Sequence, residues 1–171
     1  MQVHNGMRPQ DVAILLKIVA MNRDDWQMQP VSTELRISIG ELSQSLNRSR
    51  IAGLIGFRKK DPNRHSLVEF LIHGLKYVFP QAPGALTRGL ATAHSHPFMK
   101  SHFHSEANYV WPDVHGEIIG QAIKPFYERQ AEAARLDEKF YLLLALVDTI
   151  RVGRVREVKI ASDELKRILL Q

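Results

Sequence analysis

From Pro9 onward, Val12, Leu15, Leu16 and Val19 recur at the i, i+3, i+4, i+7 spacing of one helix face, and Ile14, Ile18 and Met21 widen the stripe. Proline suits the first turn of such a helix, which the pattern predicts to be buried on more than one side. Residues 23 to 36 are polar and hold Pro30, which reads as a loop with a short extended piece. Ser38 faces Glu41 three residues on, a capping box that opens a helix with Ile39, Leu42 and Leu46 inside. That helix is expected to stop near Asn47, because asparagine tolerates the positive φ of a sharp reversal. Ser49 then caps a second helix with Ile51, Leu54 and Ile55 as its stripe and Ser49, Gly53, Gly56 and Lys60 opposite, flanked by Arg50 and Phe57.

After the turn "DPNR", Ser66 and Glu69 form a second capping box, Val68, Leu71, Ile72 and Leu75 a buried stripe, and Gly74 a stop. The segments "YVFPQAPG" (77 to 84) and "YVWPDVHG" (109 to 116) share Tyr-Val-aromatic-Pro with a glycine four residues after the proline. Proline at a strand end and glycine in the next turn predict two β-hairpins, the first a candidate wing carrying Arg88. "ERQAEAARLDEK" is polar all round. "FYLLLALV" carries two helical stripes, Phe140, Leu143, Leu144 and Val147, and Leu142, Leu146 and Ile150. A helix apolar on every side must be covered, so a homodimer interface is expected on this helix and the one at Pro9. In the tail, Val155, Val158, Ala161, Leu165 and Ile168 share a side, and the cations are expected to pair with Asp148, Glu157 and Asp163.

The fold class expected is α+β: a winged helix-turn-helix over 1–80, β-hairpins over 81–125, and a helical dimerisation region over 126–171. A chain of 171 residues with 44% hydrophobic residues can bury a sizeable core. It has no run of eighteen apolar residues and no secretory pattern at its start, so no membrane partner and a cytoplasmic location are expected. Zero cysteines exclude disulfides, thiolate zinc sites and cysteine nucleophiles. Charge changes the picture more. Arg48, Arg50, Arg58, Lys59, Lys60 and Arg64 stand against Asp61 alone, which is the chain's whole excess of +5. Such a strip is the footprint of a surface for a polyanion.

On this element order, these caps and this charge, residues 9 to about 95 resemble the MarR-like winged-helix regulators of bacteria, with "LNRS" at the turn. The resemblance implies that Ser49 to Lys60 is the recognition helix in the major groove. Arg48, Ser49, Arg50 and Lys60 are then expected near base edges, Gly53 at a close backbone approach, Lys59 and Arg64 on phosphates, and Arg88 on the wing.

Two histidine pairs, His94 with His96 and His102 with His104, have i, i+2 spacing that on paired strands puts each pair on one face. Four imidazoles suit a late transition metal, although no carboxylate interleaves them except Glu106, and exposed or capped histidines explain the spacing as well. There is no Gly-rich phosphate loop, nucleophile elbow or carboxylate pair at useful spacing, so neither enzyme activity nor a cofactor is expected. The sequence therefore predicts a dimeric transcriptional repressor on double-stranded DNA. The alternatives are an antitoxin-like interaction module that binds DNA for its own regulation, and a histidine-metal enzyme acting on nucleic acid.

Overall fold

A computed structural model describes residues 6–171 and is mixed helix and sheet, an α+β chain. Helix α1 (Pro9–Met21) opens with its proline at the first turn, and the Arg8 backbone N–H donates to the Asp11 carboxylate at 2.8 Å. Residues 11 to 19 of this helix are all buried. Asn22, in the left-handed region at φ 48°, ends it.

The polar stretch expected to be a loop instead holds α2 (Met28–Leu35). Pro30 lies in its first turn, where backbone N–H groups have no partner within the helix and a missing one is harmless. Val31 and Leu35, four apart, turn into the core.

Helix α3 (Ile39–Ile51) starts where predicted, with Ser38 Oγ accepting the Glu41 N–H at 3.1 Å. It does not reverse at Asn47. The helix runs on through Asn47, Arg48, Ser49 and Arg50 and ends at Gly53, whose φ of +76° is the true break. The expected second helix over 49 to 60 is therefore absent. Residues 54 to 63 form a hairpin-like loop held by Asn63 N–H to Leu54 O, Gly56 N–H to Asp61 O and an Ile55–Pro62 bridge, with Leu54 and Ile55 buried at its base.

The cap of the next helix lies three residues before the predicted one, because Asn63 Oδ1, not Ser66, accepts the capping bond, from the Ser66 N–H. It continues as α4 (Arg64–Glu69), a π-turn (Phe70–Gly74) and α5 (Leu75–Val78). Gly74 is thus inside the helix and not its stop; a Cβ there would come within 3.1 Å of the Phe70 ring.

Strands β1 (Leu86–Ala91), β2 (Tyr109–Pro112) and β3 (Ile118–Ala122) close into a small barrel. β1 is antiparallel to both partners, so β2 and β3 run parallel and neither predicted hairpin forms. Tyr77 and Val78 end a helix instead of starting a strand. The barrel closes at Gly89, which pairs with both Pro112 and Ile118; a Cβ on it would lie 2.1 Å from the Trp111 carbonyl oxygen.

After β1 come a 3-10 turn (Ala93–Ser95) and α6 (Pro97–Lys100); after β3 come α7 (Gln130–Ala134), α8 (Glu138–Val152) and α9 (Val155–Leu169). α8 is the axis of the molecule, packed against α1, α5, α9 and the 3-10 turn. Its residues Phe140 and Leu143 to Ile150 are at most 3% exposed, and those of α1 from Val12 to Val19 are similarly covered. The apolar residues of these two helices, on which a dimer interface is expected, are mostly covered within one chain, with Leu142 and Met21 half-buried. One buried apolar cluster runs from Val12 to Leu169. Among the described residues no helix is long and apolar enough to cross a membrane.

Candidate nucleic-acid interface

Helices α2 and α3 pack against each other, joined by Arg36, Ile37 and Ser38. Arg36 takes the left-handed conformation at φ 60°. Ser32 fixes the turn twice: its hydroxyl donates to Ile37 O at 2.6 Å and its carbonyl accepts the Ile37 N–H at 3.1 Å. With Leu42, Ser45, Leu46 and Ser49 buried, α3 presents Gly40, Glu41, Ser43 and Gln44 to solvent, with Asn47 half-buried beside them. The Ser43 hydroxyl and the Gln44 carboxamide have no protein partner among the described residues. Asn47 Oδ1 accepts from Arg50 Nη2 at 3.2 Å, which leaves the Asn47 amide donors free.

The basic strip is split by the fold. The Arg50 guanidinium lies 5.9 Å from the Phe57 ring centre, so the 54–63 loop folds back beside the C-terminal end of α3. Phe57 is 86% exposed, Arg58 is exposed, and Lys59 is half-buried in the left-handed region at φ 57°. These residues form the tip of the loop.

The other cations turn inward. Arg48 forms a two-pronged ion pair with Asp11, at 2.8 and 2.7 Å, and both side chains are buried. The Asp11 hydrogen bond holds the guanidinium pKa above its ordinary value, against a smaller opposing effect of burial. Lys60 Nζ sits 4.1 Å over the Trp26 ring and donates to Trp26 O, while Trp26 Nε1 returns a bond to Lys60 O at 3.1 Å. Arg64 clamps the chain end to α1 through Leu169 O at 3.0 Å and Asn22 Oδ1 at 2.7 Å. Ser49 is fully buried, and Gly53 terminates α3 with open space around it.

Arg88 lies apart, exposed on β1, where it donates to Gly116 O at 3.2 Å in the connection between β2 and β3. Of the expected contact residues the structure thus brings only Arg50 and Lys59 together on one outward surface. Sequence reasoning did not single out Ser43 or Gln44, gave Asn47 only the role of a turn, and named Arg58 only within the basic strip. The signal lay in Val31 and Leu35, whose spacing marks a helix just before the Ser38 cap.

The histidine pairs are not on paired strands. His94 lies on the 3-10 turn, its Nε2 2.6 Å from Ala107 O and its ring against Tyr109; His96 caps α6, its Nδ1 accepting the Phe98 N–H at 3.2 Å. His102 is turned back onto Phe98 O at 2.9 Å, and His104 is exposed. Among the described residues no three His, Asp or Glu side chains are grouped to hold a metal ion.

The expectation for the tail cations holds in part. Lys159 pairs with Asp163 at 2.8 Å on the surface, but Arg151 meets Asp148 inside the fold. Asp148 is fully buried and also accepts from Thr92 Oγ1 at 2.8 Å and Trp111 Nε1 at 2.6 Å, tying the barrel to α8. Burial pushes its pKa up, against the lowering effects of Arg151, Trp111 and Thr92. Comparison of the chain with protein-family models, curated proteins and solved structures finds no match.

Proposed function

We propose that the chain binds double-stranded DNA sequence-specifically through α2 and α3 as a helix-turn-helix, with the 54–63 loop as the wing, and acts as a dimeric transcriptional repressor. The recognition helix is then α3, one element earlier than the sequence pattern suggests. A single observation carries this reading: an exposed polar face on α3 whose Ser43 and Gln44 side chains have no protein partner among the described residues, bordered through the Arg50–Phe57 contact by a loop tip bearing Arg58 and Lys59. Carboxamides and hydroxyls on an exposed helix face suit base edges in the major groove, and loop cations suit the flanking phosphates.

The test starts with selection of bound duplexes from a randomised pool, followed by fluorescence anisotropy on selected and scrambled sites. Gln44→Ala is expected to weaken binding to the selected site by about 5- to 100-fold and to relax preference at one base pair, while leaving the scrambled site unchanged. Lys59→Ala is expected to weaken both by the same factor. Equal binding of selected and scrambled duplexes by the unmodified protein rejects the proposal.

A further inference from the structure

A cleft of about 610 Å³ opens between α6, the start of α8 and the end of α9, on residues the DNA-binding proposal does not use. Phe98, Tyr141, Leu142 and Ile168 give it an apolar wall. Its volume is that of a small-molecule site. The polar group in that wall is His96, which is only 7% exposed and packs edge-on against Tyr141 with ring centres 4.4 Å apart. Its Nδ1 accepts the Phe98 N–H, so a neutral ring carries its proton on Nε2, and Nε2 has no partner among the described residues. The Tyr141 hydroxyl does not compete for this role, because its proton is already given to Ala91 O. Burial lowers the His96 pKa to about 4, which keeps the ring neutral at ordinary pH.

Nε2–H is reached by solvent, so a ligand oxygen entering the cleft would take the place of water on this donor. The charges at the mouth sum to zero: Lys139 stands against Glu138, and Arg167 is held by Glu164 at 2.6 and 2.8 Å. We propose that this cleft binds an uncharged, largely apolar small molecule whose carbonyl-type oxygen accepts the hydrogen bond of His96 Nε2–H. An apolar wall fits the body, and the unpartnered His96 donor fixes the orientation.

Acetophenone and ethylbenzene share a skeleton and differ in the carbonyl, so they isolate this bond. With the full chain, titration calorimetry is expected to give saturable one-to-one binding of acetophenone, with ethylbenzene about 5-fold weaker. Nitrogen-15 spectra of the histidine side chains are expected to show His96 Nε2 moving on addition of acetophenone. His96→Asn keeps an oxygen able to cap α6 but removes the Nε2 donor, so it is expected to erase the difference between the two probes. Leu142→Trp fills the cleft and is expected to abolish binding of both, with helix content by circular dichroism confirming that the variant folds.

Equal affinity for both probes in the unmodified protein overturns the role of His96. Unchanged binding in Leu142→Trp overturns the cleft as the site, and tighter binding of benzoate than of acetophenone overturns the uncharged ligand class. No saturable binding of acetophenone, with His96 unmoved, overturns the whole inference.

Discussion

Arg48 and His96 show how a single side chain takes its meaning from partners far away in sequence. The Arg48 guanidinium meets Asp11 thirty-seven positions earlier, and neither group is accessible to a phosphate. Arg48→Met leaves the Asp11 carboxylate buried and unpaired, and is expected to destabilise the fold by roughly 3–5 kcal/mol. The double variant Asp11→Leu with Arg48→Met is expected to recover most of that loss, as read from urea denaturation midpoints. A DNA-contacting Arg48 would instead give a single variant of normal stability and weak binding. His96 makes a pH prediction. Its pKa is about 4 in the folded chain against about 6.5 when unfolded, so the unfolded state binds the extra proton first as pH falls. Its contribution is fully present above pH ~6.5 and is lost on going down to pH ~4, for a total of about 3 kcal/mol. His96→Asn is expected to flatten the fall in stability over this window by that amount relative to the unmodified chain.

Among the elements, those specified by local chemistry were legible. The buried stripe from Val12, the Ser38 cap with Glu41, and the apolar helix at Phe140 all appear where their spacing places them. Boundaries that depend on competition between residues were not. Asn47 tolerates a reversal, but its carboxamide is used by Arg50 and the helix simply continues to Gly53. Gly53 adopts φ +76° with no atom within 4 Å of a built Cβ, so Gly53→Ala introduces backbone strain without a clash. The expected loss is about 1 kcal/mol, measured by urea denaturation, and fraying is expected to appear as faster amide exchange at the C-terminal turn of α3. The barrel was illegible for a different reason. β1 pairs with strands that follow it by about twenty and thirty residues, and the parallel pairing of β2 with β3 has no turn signature to announce it. The repeated Tyr-Val-aromatic-Pro motif misled because Tyr77 follows a π-turn that carries its helix past Gly74.

Across the whole molecule, the basic strip keeps its net charge but not its reach. Three of its six cations, Arg48, Lys60 and Arg64, are anchored inside or across the fold, leaving Arg50, Arg58 and Lys59 outward beside α3. A count of charges cannot register this, because an arginine facing a remote carboxylate looks the same in sequence as one facing solvent. The difference is measurable through counterion release, since each neutralised phosphate adds about −0.9 to the slope of log K against log salt. One chain on DNA through the proposed interface is expected to give a slope of about −2.7, and two chains on paired half-sites about −5.4. All six cations acting together would give about −5.4 for a single chain, so the slope must be read together with stoichiometry from sedimentation of the complex. Lys59→Ala is expected to reduce the slope by about 0.9 per bound chain, whereas Lys60→Ala should lower stability, by unstapling Trp26, and leave the slope unchanged. A slope that responds to Lys60 and ignores Lys59 would reverse the inward and outward assignments and remove the wing from the proposed interface.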